Sequence, residues 1–156
     1  MSFRFDRFDC ELTASVRTEL PVSWPSATDL SGMKGHIFQS REFIDAWSAS
    51  FGGRSDLRPL FIEVSAPQGP RLMLLPLVLQ RQRGVSILSF IDQGHADYNA
   101  PLLAPEMAAL RQHIPLEFWR ELFASLPHFD ILRLSKMPNV GLCRWDRIKF
   151  PRSTMP

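Results

Sequence analysis

From Cys10 to Arg17 apolar and polar residues alternate, with Leu12, Ala14 and Val16 on one side and Glu11, Thr13 and Arg17 on the other. A period of two predicts a half-buried strand, the first of the fold. Pro21, Pro25 and Gly32 bracket Ser26 to Leu30, a stretch that holds a helical turn or two. The next segment has a helical period. Ser40 is a suitable N-cap, Glu42 stands near the positive end of the helix dipole, and Phe43, Ile44, Trp47 and Phe51 recur on one face until Gly52-Gly53. That aromatic stripe is expected to be core packing. Leu57 to Val64 and Leu72 to Leu79 are apolar and β-rich, joined by the turn-forming Pro67-Gln68-Gly69-Pro70, and so predict an antiparallel hairpin. Pro76 has no N–H for a ladder, which predicts a kink or bulge at its position. A polar turn, Gln80 to Gly84, leads to a third strand, Val85 to Ile91, and completes a three-stranded meander.

Asp92 to Pro105 reads as a long irregular loop, and loops of this length inside compact domains tend to carry function. A helical segment follows from Glu106 to about Gln112, and Pro115 opens another at its favoured first position. On that second helix Leu116, Trp119, Leu122, Phe123 and Leu126 share one face, Glu117, Arg120 and Glu121 take the other, and Pro127 closes it. Phe129 to Leu134 predicts a buried strand. After Pro138 the periodicity stops, and residues 139–156 read as an irregular basic tail, expected to be poorly ordered.

Composition narrows the function classes. The 156 residues are 45% hydrophobic and 22% charged, enough for one domain with its own core. The net charge of +2 is unevenly placed: residues 1–132 hold 12 Lys+Arg against 15 Asp+Glu, a net of −3, and residues 133–156 hold 6 against 1, a net of +5. An acidic body has no footprint for a phosphate backbone, so nucleic-acid binding is not expected. Charged residues fill the first twenty positions, and the longest apolar run, Leu72 to Leu79, contains Pro76. Neither a secretory signal nor membrane insertion fits, and a cytoplasmic protein is expected. Cys10 and Cys143 form no Cys-x-x-Cys pair, and His36, His95, His113 and His128 lack metal-ligand spacing, so no metal site is expected.

Candidate chemistry concentrates in the long loop. His95 stands two residues from Asp97 and three from Tyr98, a juxtaposition that serves a general base and its orienter, although Asp97-Tyr98-Asn99 fits a backbone-bonding structural role better. Gln80-Arg81-Gln82-Arg83-Gly84-Val85-Ser86 superficially matches the Arg/Gln-x-x-Gly-x-Gly/Ala loop that cradles the pyrophosphate of coenzyme A. Such a loop needs a helix N-terminus after it to supply free donors, and here a strand follows. A hairpin turn is therefore expected. There is no Gly-x-Ser-x-Gly elbow, and neither cysteine has neighbours that would activate it.

The predicted element order is strand, helices, three meander strands, long loop, helix and strand. It resembles the opening of the GNAT acyltransferase fold. Local sequence points the same way: Phe38-Gln39-Ser40-Arg41-Glu42-Phe43, Ala46-Trp47 and Phe51-Gly52-Gly53 resemble the helix opening of CelD-like acyltransferases, relatives of the FemAB group linked with cellulose biosynthesis. Leu74-Leu75-Pro76-Leu77, Asp97-Tyr98 with Pro101-Leu102, and Asp130-Ile131-Leu132-Arg133-Leu134 with Met137-Pro138 recur there in the same order. The resemblance spans about residues 35–138. It implies an α+β fold, a partial GNAT-like mixed sheet over residues 1–138, matching the N-terminal of two tandem lobes and reading as truncated. It further implies that acetyl-CoA or another acyl-CoA serves the complete enzyme in N-acyl transfer to an amine, with no cofactor in this chain. Gln39, Asp97, Tyr98 and Asn99 are then the candidates for shaping an acceptor groove, and a second GNAT-like lobe or partner chain is the expected partner. The alternative is a non-catalytic interaction module or an inactive remnant.

Overall fold

In the computed structural model, which describes residues 2–5, 10–67, 69–110 and 116–137, seven strands form one mixed sheet in an α+β fold. The strands are β1 (Ser2–Phe5), β2 (Cys10–Arg17), β3 (Leu57–Ser65), β4 (Arg71–Gln82), β5 (Val85–Phe90), β6 (Leu102–Leu103) and β7 (Ile131–Arg133). The helices are α1 (Arg41–Phe51), α2 (Pro105–Leu110) and α3 (Leu116–Ala124), with a single 3-10 turn at Ile37–Gln39. Strand order is β1-β2-β3-β4-β5-β7, antiparallel throughout except for β5 beside β7, while β6 pairs with β4 beyond the end of β5.

Strands β3 and β4 are buried on both faces, which is why they read as unbroken apolar runs. Alternation sorts their side chains. Leu60, Ile62, Val64, Met73, Leu75 and Leu77 face α2 and α3, where Met107, Trp119, Leu122 and Phe123 complete the larger core. Leu57, Phe61, Leu74 and Val78 face α1, whose Ile44 and Trp47 pack with Trp24, Met33 and Leu102. The β4–β5 connection is a two-residue hairpin loop, with Gln82 paired to Val85 and positive φ at both Arg83 (50°) and Gly84 (84°). This backbone matches the twist of the flanking strands, as a type I′ turn does. The Gln80 to Ser86 motif is thus the expected hairpin turn.

Several expectations need correction. Cys10–Arg17 is the second strand, because Ser2–Phe5 pairs antiparallel with it; the alternation of Phe3 and Phe5 with Ser2 and Arg4 was the available signal. In β2 the inward set stops at Ala14, and Val16 is exposed. Ser26 to Leu30 is not helical. Its turn is closed locally, the Ser26 hydroxyl accepting from the Asp29 N–H (3.0 Å) and the Asp29 carboxylate from the Ser31 N–H (2.7 Å). Pro76 makes no bulge, since Phe61 pairs opposite it in register and the only β3–β4 irregularity lies at Val64/Ser65. The reason is topological. The Pro76 carbonyl accepts from Ile91 N–H (3.2 Å) on the β5 side, so its missing N–H points to the same side, into the gap between the segments of β4 paired with β5 and with β6.

Phe129 to Leu134 contributes only the three residues of β7, whose side chains are exposed or half-buried because the strand ends the sheet order among the described residues. The hairpin turn closes through Gly69 N–H to Ala66 O (3.0 Å). Gln68, Gln112, Pro115 and the tail 139–156 lie outside the described residues. No helix among those described is long and apolar enough to cross a membrane.

Candidate functional site

Helix α1 starts where the sequence says it should. The Ser40 hydroxyl accepts from Phe43 N–H (3.5 Å), and Gly52 caps the other end by donating to Ser48 O (2.8 Å). The irregular segment after β2 is strapped across its N-terminus. Glu42 accepts from Ala27 N–H (2.7 Å), Arg41 N–H donates to Pro25 O (2.8 Å), and the Arg41 guanidinium donates to the carbonyls of Pro21 and Val22. Backbone N–H groups of Glu42 itself and of Ala27 hold the Glu42 carboxyl below the usual carboxylate range. Trp24 donates through Nε1 to Gln39 O (2.8 Å) and so fixes the 3-10 turn that enters the helix.

Facing α1 is the segment between β5 and α2, expected to be irregular and found to be heavily anchored. It opens with a turn in which Gln93 (φ 43°) and Gly94 (φ 92°) are both left-handed, closed by His95 N–H to Asp92 O (2.8 Å) and by Gly94 N–H to the Asp92 carboxylate (2.8 Å). Glycine suits this conformation because it lacks the Cβ that disfavours it. The buried Asn99 amide donates to Asp92 Oδ2 (2.8 Å) and Ser135 O (3.4 Å), and its N–H donates to Lys136 O (3.0 Å). The Lys136 ammonium then donates to Ala96 O (2.6 Å) and Gly94 O (3.1 Å) and lies 3.4 Å from the Asp92 carboxylate. A lysine beyond the last strand thereby clamps the segment. β6 pins its far end, where Leu103 and Lys34 exchange backbone hydrogen bonds (2.7 and 2.8 Å).

Between α1 and this segment lies an open cleft of about 270 Å³, lined by Phe43, Ala46, Trp47, Ser50, Phe51 and His95. Only Trp47 and Ile44 of the expected core stripe are fully buried; Phe43 and Phe51, near the two ends of the helix, are half-buried and line the cleft. Trp47 Nε1 donates to Gln93 Oε1 (2.8 Å), which joins the two walls. The Phe51 ring lies 6.0 Å from Trp47 and 5.5 Å from His95, tilted by 37° to each. Phe38 braces Phe43 edge-on at 5.4 Å.

The four candidate residues divide by burial. Gln39 is buried, accepts from His36 N–H (3.2 Å) and donates to Tyr98 O (3.2 Å), so it meets the loop through backbone rather than through a ligand-facing amide. Asn99 is buried in the clamp. Asp97 and Tyr98 are exposed, and the Tyr98 ring stacks on His36 at 5.4 Å. His95 lines the cleft near Phe51, and Asp97 does not line it. Sequence reasoning missed Gln93 and Lys136. Nothing in their spacing marks either, since each acts through a partner more than forty residues away.

The N–H groups of Gly94, His95, Asn99, Leu103 and Ala104 are already engaged within the protein, and α2 is a six-residue helix. Among the described residues no group of three or more His, Cys, Asp or Glu side chains is placed to hold a metal ion. No protein-family model, curated protein or solved structure matches the chain.

Proposed function

We propose that this chain is a GNAT-like lobe of a CelD/FemAB-like N-acyltransferase, acting in the cytoplasm, and that it shapes the acceptor side of the site while acyl-CoA is held by another lobe. The observation that carries this reading is the parallel pairing of β5 with β7 across α2 and α3, directly after the antiparallel meander β3-β4-β5. The anchored loop leaves the end of β5 at that point, where its exposed Asp97 and Tyr98 are available to an acceptor amine. Gln39 and Asn99 serve by holding that loop still. Rigid placement of an amine against a thioester removes much of the entropic barrier to acyl transfer. Calorimetric titration of the chain with acetyl-CoA is the test: no binding is expected, and micromolar binding would overturn the division of labour. A GNAT pyrophosphate loop in the reading frame following residue 156 is the matching positive result.

A second reading, a non-catalytic interaction module, is favoured by β7, which ends the sheet order among the described residues and whose Ile131 is 36% exposed. An open edge of this kind offers unpaired backbone groups to another chain. Size-exclusion chromatography separates the two, since a monomer at all concentrations counts against self-association through that edge.

A further inference from the structure

We infer that the cleft between α1 and the loop after β5 binds a neutral, planar aromatic group of about one fused ring pair, and this inference stands whether or not the chain is an acyltransferase lobe. Three observations carry it. First, the lining is largely aromatic and holds no carboxylate, lysine or arginine: Phe43, Trp47 and Phe51 with Ala46 and Ser50, and His95 alone at the loop side. Second, its hydrogen-bonding groups are mostly engaged. Trp47 Nε1 is held by Gln93, and the Ser50 hydroxyl donates to Ala46 O (2.9 Å). A sugar or a phosphate would lose its hydration here without enough partners to replace it, whereas an aromatic ring loses nothing and gains ring contacts. Third, the rings are fixed in place, Phe43 by Phe38 and Trp47 by its bond to Gln93, so the cleft does not have to be assembled by its ligand. About 270 Å³ is room for a bicyclic ring with part of its substituent.

The test uses indole as probe, with inorganic phosphate and glucose as controls, and follows the His95 ring resonances of the full chain by NMR. Indole should shift them saturably, with a dissociation constant on the order of 1 mM for so small a fragment. Phosphate and glucose should not. Ala46→Trp places a bulky side chain in the cleft from an exposed helix position, so the fold survives and circular dichroism checks it. It should weaken indole binding at least about tenfold, whereas Ser48→Ala, on the other side of α1, should leave it unchanged. Shifts that do not saturate, that persist in Ala46→Trp, or that phosphate or glucose reproduce would each overturn the inference.

Discussion

The two faces of the sheet are covered in different ways. Over one, α2 and α3 close a continuous apolar core in which Met107, Phe118, Trp119 and Leu122 are almost wholly hidden. Over the other, α1 buries Ile44 and Trp47 but leaves Phe43 and Phe51 half-open, and it is held by discrete polar tethers: Glu42 to Ala27, Gln39 to Tyr98 and Trp47 to Gln93. Dispersion and burial hold the first face, and they need no particular partner geometry. The second face also has a buried apolar cluster, around Trp24, Ile44, Trp47, Phe61 and Leu74, and directed bonds there add to burial by bracing the walls of a cleft. Both faces therefore supply burial, the larger core lying under α2 and α3, and the α1 face supplies a shaped surface as well.

The sharpest way to break this comparison is Trp119→Ala. Truncating so large a buried ring should cost about 3–5 kcal/mol, read as a shift in the urea midpoint. A loss below about 1 kcal/mol would mean the α3 face is not the larger stability reservoir. Lys136→Met tests the opposite face. The clamp is partly exposed, so its removal should cost only about 1–2 kcal/mol, yet amide exchange in residues 93–99 should accelerate well beyond that of β4. Uniform acceleration across the sheet would show that the loop has no separate restraint.

The smallest effect is the strap on α1. Glu42 has its pKa lowered in the folded chain, so its contribution is complete above the ordinary carboxylate range and is lost as pH falls through its own lowered value. Native protein should accordingly be more stable than Glu42→Gln near neutrality, and their urea midpoints should converge in acid. A constant difference across that range would assign the strap to packing rather than to charge.

Much of the fold was legible because local rules and tertiary structure agree. The helix 41–51 with its Ser40 cap, the strands of the meander and the polar face of α3 follow from period and capping alone. Pro76 was legible as a ladder breaker but not as harmless, since only the placement of β5 and β6 beside β4 shows where its missing donor points. The loop shows the same limit. Asp97-Tyr98-Asn99 stood out by residue type, but sequence had no means of separating the exposed pair from the buried Asn99, whose partners are Asp92 and Ser135.

The sequence by itself determined helix 41–51 with its cap, the meander strands β3 to β5 with their two turns, and the burial of the β3 and β4 apolar runs, because these depend on residues close along the chain. Tertiary structure alone decided that the aromatic stripe of α1 splits into core and cleft wall, and that Lys136 reaches back to clamp a loop some forty residues earlier. Periodicity tells which face of a helix is apolar, but how much of that face is covered depends on where distant chain comes to rest.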